Sequence, residues 1–181
     1  VKRILVVGSS GAGKSTLARS LSATLALPYQ EMDSLHFDGP GWRVSPTFRT
    51  DVERLAASPS WIVDSYGQPA VRESLWTRAD TVVWLDYPRW VVMHRVLRRS
   101  LRRTLTRARV FGGNRERLRE WFSRHHPAWS SWRGHRSRAR VIQELTQDAR
   151  FAPLDVVRLR SPAETAEWLR RCAGEVGSDE R

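Results

Sequence analysis

The residues with the most definite chemistry are GSSGAGKST, from Gly8 to Thr16. They match the spacing G-x-x-x-x-G-K-[ST] with Gly8, Gly13, Lys14 and Ser15. Each part has a physical task. Glycines let the backbone curl until successive N–H groups point at phosphate oxygens. A helix starting here aims its positive end at the same anion. Lys14 adds a point charge for the outer phosphates, and the Ser15 hydroxyl can ligate Mg²⁺. Only Lys2 and Lys14 are lysines among 31 basic residues, so a point charge is singled out at this position. With Ser9, Ser10, Gly11, Ala12 and Thr16, the stretch is expected to cradle the phosphates of a nucleotide.

Three aspartates follow strand-like runs: Asp33 in EMDSLHF, Asp64 in WIVDSYG and Asp86 in VVWLDYP. Ligands of parallel sheets bind beyond the carboxyl ends of the strands, so all three are candidates. Asp86 precedes Tyr87-Pro88 and is expected to serve a helix start. The five histidines show no metal spacing with cysteine or carboxylate. His36 follows Asp33 closely and could line the same pocket. Trp61, Trp76, Trp84 and Trp90 read as core, and the lone Cys172 as an apolar filler of the last helix.

The charge is uneven. Between Arg89 and Arg140, sixteen arginines stand against Glu116 and Glu120, a net of +14 in a chain whose total is +12. A polyanionic partner is expected there. Trp121, Trp129 and Trp132 are interleaved, so a nucleic-acid backbone with stacked bases is one candidate. The spacings of those tryptophans also fit a single helical core face.

The elements that must position these residues alternate. RILVV (3–7) reads as a buried parallel strand, and KSTLARSLSATLAL (14–27) as a helix stopped by Pro28. YQEM leads into Asp33 as a second strand. SPTFRTDVERLAA (45–57) is a helix with Ser45 as N-cap and Pro46 in the first position. SWIVD (60–64) and TVVWLD (81–86) are further strands, joined through QPAVRESLWTRA. From Pro88 a basic amphipathic helix runs to a break at VFGGN (110–114), and a second basic helical region reaches Asp148. LDVVRLR (154–160) is the fifth strand. Ser161-Pro162 opens the last helix, with Glu164 in its first turn, Arg170 and Arg171 near its end, and GEVGSDER as a frayed tail. The expected fold is therefore α/β, with a five-stranded mostly parallel sheet flanked by helices. The chain reads as one domain over 1–181, with 88–148 inserted as an arginine-rich helical lid. No apolar run reaches the roughly 20 residues that cross a bilayer. With one cysteine and no signal-peptide pattern before RILVV, a cytoplasmic protein without a membrane role is expected. Oligomeric state is not readable.

The motifs GSSGAGKST, MDSLHF, WIVDS, RADTVVWLDYPRW and GGNRE together resemble the small P-loop kinases of the adenylate kinase-like group. The nearest branch is the bacterial proteins labelled "DNA topology modulation protein" or "adenylate kinase-like protein". The resemblance implies ATP and Mg²⁺, with Asp64 holding the metal directly or through water beside Ser15, and with Asp33 in the acceptor pocket. It implies a lid after the fourth strand whose arginines close over the transferring phosphoryl group. By position these are Arg99, Arg103 and Arg115. It also implies an adenine contact near Ser161-Pro162, and an acceptor segment that includes Trp42. There are departures. Members usually read Asp-Gly-Asn-Tyr after the third strand, where this chain has Asp64-Ser65-Tyr66-Gly67. Nucleoside monophosphate kinases place an acceptor-gripping arginine where Gln68 stands, and the nearest one is Arg72. A monophosphate acceptor is therefore disfavoured. The expectation is a phosphotransferase acting on a small nucleotide, nucleoside or hydroxylated metabolite. The alternative is a nucleic-acid-binding NTPase that acts on DNA topology through the arginine-rich region.

Overall fold

The computed structural model describes residues 1–39, 43–106, 109–110, 114–115 and 127–179. Five strands form one sheet: β1 (Arg3–Gly8), β2 (Tyr29–Gln30), β5 (Trp61–Val63), β6 (Thr81–Leu85) and β9 (Asp155–Leu159). Their order is β2-β5-β1-β6-β9 and every pairing is parallel, firmer than the mostly parallel sheet expected. The reason is local. The central strands β1, β5 and β6 are apolar without alternation, so both faces must be covered by helices.

Side chains alternate across this sheet. Ile4, Val6, Ile62, Val83 and Leu85 face one core, shared with Leu17, Ala18 and Leu21 of α1 (Lys14–Leu25) and with Val92 and Val96 of α5 (Arg89–Thr106). Leu5, Val7, Trp61, Val63, Val82 and Trp84 face the other. There they meet α3 (Phe48–Ala57), α4 (Pro69–Trp76) and Ile142 of α6 (Pro127–Gln147). Both described helices of the arginine-rich region are thus anchored in the core. Trp76 is buried, and its indole N–H donates to the Tyr66 carbonyl at 3.0 Å.

Several expectations shift. Asp33 does not end a strand: β2 stops at Gln30, and Asp33 lies in the first turn of the short helix α2 (Met32–His36). The helix expected from Ser45 begins at Phe48. A hairpin of β3 (Phe37–Gly39) and β4 (Arg43–Val44) holds Ser45, whose N–H donates to the His36 carbonyl at 2.8 Å. Pro46 and Thr47 then form a turn, and Phe48, Val52 and Ala56 are buried at helical spacing. Asp86 does not serve the start of α5; it forms an ion pair with Arg158 of the neighbouring strand β9, at 2.5 Å. The last helix, α7 (Pro162–Asp179), runs past Arg170 and Arg171 and through most of the expected tail. Its start is as expected: the Ser161 hydroxyl accepts the Glu164 N–H at 3.1 Å, and Glu164 accepts the Arg160 N–H at 2.7 Å. Two short strands, β7 (Arg109–Val110) and β8 (Asn114–Arg115), paired antiparallel, lie at the two ends of the VFGGN break.

Trp90 is the clearest correction, because it is 72% exposed on α5 and not in the core. Val92 and Val96 take the buried face of that helix, and position 90 falls off it. Trp90→Ala is expected to change unfolding free energy by less than about 0.5 kcal/mol in a denaturant titration, as exposed substitutions do. Trp132 is also exposed, and the Arg89 guanidinium stacks 3.3 Å from the centre of its ring. Trp121 lies outside the described residues, as does the side chain of Trp129.

Candidate functional site

The loop from Gly8 to Thr16 joins β1 to α1 at the carboxyl end of the sheet. Gly11 and Gly13 have φ of 87° and 99°, a region that side chains other than glycine rarely adopt. Space matters as much as φ. A Cβ on Gly11 would stand 2.2 Å from a Val96 methyl, because α5 packs directly on the loop. Gly11→Ala is therefore expected to cost about 2–4 kcal/mol through left-handed strain and overpacking. Thermal unfolding would measure it, and Val96→Ala should recover the packing part of the loss.

Past Gly13 the chain turns into α1, whose first-turn N–H groups have no acceptor within the helix. They point toward the same space as the loop. The Lys14 ammonium arches back over the loop and donates to the Ser9 carbonyl at 3.3 Å. The Ser15 hydroxyl donates to Asp64 Oδ2 at 2.5 Å. Asp64 is buried just past β5, and its other oxygen accepts the Met32 N–H at 3.0 Å. The Tyr29 hydroxyl also donates to Oδ2, at 3.0 Å. Burial first, and the Asp64 carboxylate second, raise the Tyr29 phenol well above its ordinary range, so it stays a donor.

Lys14, Ser15 and Asp64 border an open cleft of about 790 Å³. Every residue from Gly8 to Thr16 except Ser9 lines it, and Asp33 and Asp64 do too. Pro162 lines it at the start of α7, together with Thr165. The Ser161 hydroxyl is instead turned to its own helix as the cap. His36 and Arg72 stand outside the lining. The His36 ring lies edge-on to Phe37 and Phe48 and within 3.0 Å of the Gln68 amide. The Arg72 guanidinium donates to the Gly67 carbonyl and lies beside the Tyr66 ring. Trp42 and the side chains of Arg99, Arg103 and Arg115 lie outside the described residues.

Four charged residues of the cleft went unmarked in the sequence: Arg19, Glu31, Arg95 and Arg138. Arg95 donates to the Ala12 carbonyl of the loop at 2.8 Å and stands 5.3 Å from the Tyr87 ring centre. Its signal was present: Arg95 lies between Val92 and Val96 on the face of α5 that the core uses, an odd place for a charge without a target. Arg138 stands one turn before the buried Ile142 of α6. Glu31 is two residues before Asp33, with no pattern to mark it.

The residues fit a hydrated Mg²⁺. Ser15 and Asp64 offer hard oxygen donors side by side, and the described residues contain no group of three or more metal-binding side chains. Mg²⁺ asks for no more, since it keeps waters and takes its remaining ligands from phosphates. No described helix is long and apolar enough to cross a membrane.

The fold recurs in solved structures. A shikimate kinase from Acinetobacter baumannii, solved in complex with shikimate, superposes with a TM-score of 0.56 over 99% of this chain and 94% of that one, at 18% identity. A shikimate kinase from Aquifex aeolicus gives 0.51 over 98% of each chain, at 14% identity. At such identities the likeness establishes the fold alone. Among curated proteins, the shikimate kinases of Pseudomonas savastanoi pv. phaseolicola and Pseudomonas syringae pv. tomato are each 32% identical over 74 residues. That stretch is 40% of this chain and 34% of theirs, so the chain spans about a third of the length of the curated relatives it matches. No family model matches.

Proposed function

We propose that the chain is a Mg²⁺-dependent P-loop kinase that moves the γ-phosphoryl group of ATP to a hydroxyl of a small acceptor. One observation carries this: the phosphate loop, the Ser15–Asp64 pair and the Asp33 carboxylate all face a single cleft. The loop N–H groups and Lys14 would hold the phosphate chain, and Tyr87, Pro162 and Thr165 would border the base. Ser15 would hold Mg²⁺ directly and Asp64 would hold it through a water, and the ion would supply charge neutralisation on the phosphate oxygens. Asp33 would orient the acceptor hydroxyl and take its proton as the oxygen bonds to γ-phosphorus and ADP leaves. Arg95 and Arg138 flank the same space and would offset charge on the moving group. The lid role of 88–148, with Arg99, Arg103 and Arg115, belongs to this proposal, as does placement in the adenylate kinase-like branch.

The acceptor we favour is a hydroxylated metabolite, not a nucleoside monophosphate. Arg72, the nearest arginine to the position where monophosphate kinases grip their acceptor, is occupied with Gly67 and Tyr66. The curated relatives named shikimate kinase support the same choice. The test is ADP release from ATP and Mg²⁺ against nucleosides, nucleoside monophosphates, hydroxylated metabolites and short DNA or RNA. Strong stimulation by one small hydroxylated compound supports the reading.

A second reading, nucleic-acid binding through the arginine-rich region, is favoured by the exposure of Trp90 and Trp132 among its arginines. Stimulation by DNA or RNA alone would replace the first reading with this one.

A further inference from the structure

We infer that Tyr29 is a positioning residue for the metal site, acting through Asp64. The inference rests on the proposed reading of the cleft and assigns a role that the phosphate-loop pattern does not contain. A carboxylate has about four acceptor sites. Asp64 gives three of them to donors of the chain: Oδ2 to the hydroxyls of Ser15 and Tyr29, and Oδ1 to the Met32 N–H. Both sites on Oδ2 are taken, so the carboxylate cannot rotate without breaking a bond. It also cannot offer Oδ2 to a metal without losing one. Among the described residues the remaining site is on Oδ1, where a metal-bound water could donate. Asp64 is therefore fixed as an acceptor that orients the Ser15 hydroxyl and a water, and Tyr29 is what fills Oδ2.

The backbone explains why Tyr29 reaches it. Tyr29 pairs with Ile62 across the parallel ladder, and Asp64 lies two residues beyond Ile62. With a period of two, Ile62 and Asp64 share a face of the sheet. The Tyr29 ring packs on that face against the cluster containing Ile62 and Leu21, and its hydroxyl projects past the cluster to the carboxylate. The ring is thus held by apolar packing, and the hydroxyl can be removed without disturbing it.

The test is Mn²⁺ binding in the presence of ADP, followed by electron paramagnetic resonance, with Mn²⁺ standing in for Mg²⁺. Tyr29→Phe should weaken Mn²⁺ binding about tenfold, as loss of a partner that orients a metal ligand does. ADP affinity in EDTA should stay unchanged, and so should the circular dichroism spectrum. In an Asp64→Asn background, adding Tyr29→Phe should change Mn²⁺ affinity by less than about twofold, because the two act as one unit. Unchanged Mn²⁺ binding in Tyr29→Phe would overturn the inference, and so would a full tenfold effect that persists in Asp64→Asn. Failure of the unsubstituted protein to bind Mn²⁺ with ADP would instead remove the kinase reading on which the inference stands.

Discussion

Lys14→Ala is expected to lower ATP turnover by about 10²–10³-fold, the loss seen when one donor to a developing oxyanion is removed. The argument is electrostatic and geometric. The loop offers many N–H groups, but they are neutral dipoles that hold the nucleotide in ground and transition state alike. Lys14 brings a full charge on a flexible stem, and charge on the transferring oxygens is what changes along the reaction. Its ammonium lies over the loop at the Ser9 carbonyl, close to where the outer phosphates would sit. Steady-state ADP release checks the rate, and calorimetric titration with ADP checks binding. Binding should weaken far less than turnover falls. Lys14→Arg is not expected to rescue, since a planar fork cannot replace a compact point charge inside a tight loop. Turnover retained within a few-fold in Lys14→Ala would place the reaction elsewhere.

The parts of the molecule that the sequence exposed are those set by local chemistry. RILVV and TVVWLD became β1 and β6 nearly as read, because a run apolar on both faces has few alternatives in a parallel sheet, and LDVVRLR became the exposed edge strand β9. The phosphate loop was legible because each residue type in it answers a separate physical demand. Long-range pairings were not legible. Asp86 and Arg158 are far apart in the chain, and only the β6–β9 register brings them together. The Phe37–Gly39 hairpin was missed because its strands are two or three residues long, too short for a period. That miss displaced the start of α3, since the hairpin claims Ser45. Arg95 and Arg138 were hidden by abundance: among sixteen arginines, composition cannot tell which two turn toward a cleft. Packing could, because both lie near buried apolar positions of their helices.

Asp33→Asn is the second large effect, and it separates binding from chemistry. The change is nearly isosteric and removes only charge and basicity. Asp33 is exposed on the short helix α2 and borders the cleft, so its loss should not unfold the chain. Nucleotide affinity should be unchanged, because the phosphate loop lies on other elements. Phosphoryl transfer should fall by about 10²–10⁴-fold, the usual contribution of a positioned general base. The comparison that gives this force is Glu31, a second carboxylate two residues earlier in the same cleft. If Asp33 takes the proton, Asp33→Asn removes the acidic limb of the pH–rate profile and Glu31→Gln leaves that limb in place. If the cleft needs only negative charge near the acceptor, the two substitutions should have similar effects and neither should remove the limb. Unchanged transfer in Asp33→Asn would end its role as base. Loss of the limb in Glu31→Gln alone would pass that role to Glu31, still within the phosphotransfer reading.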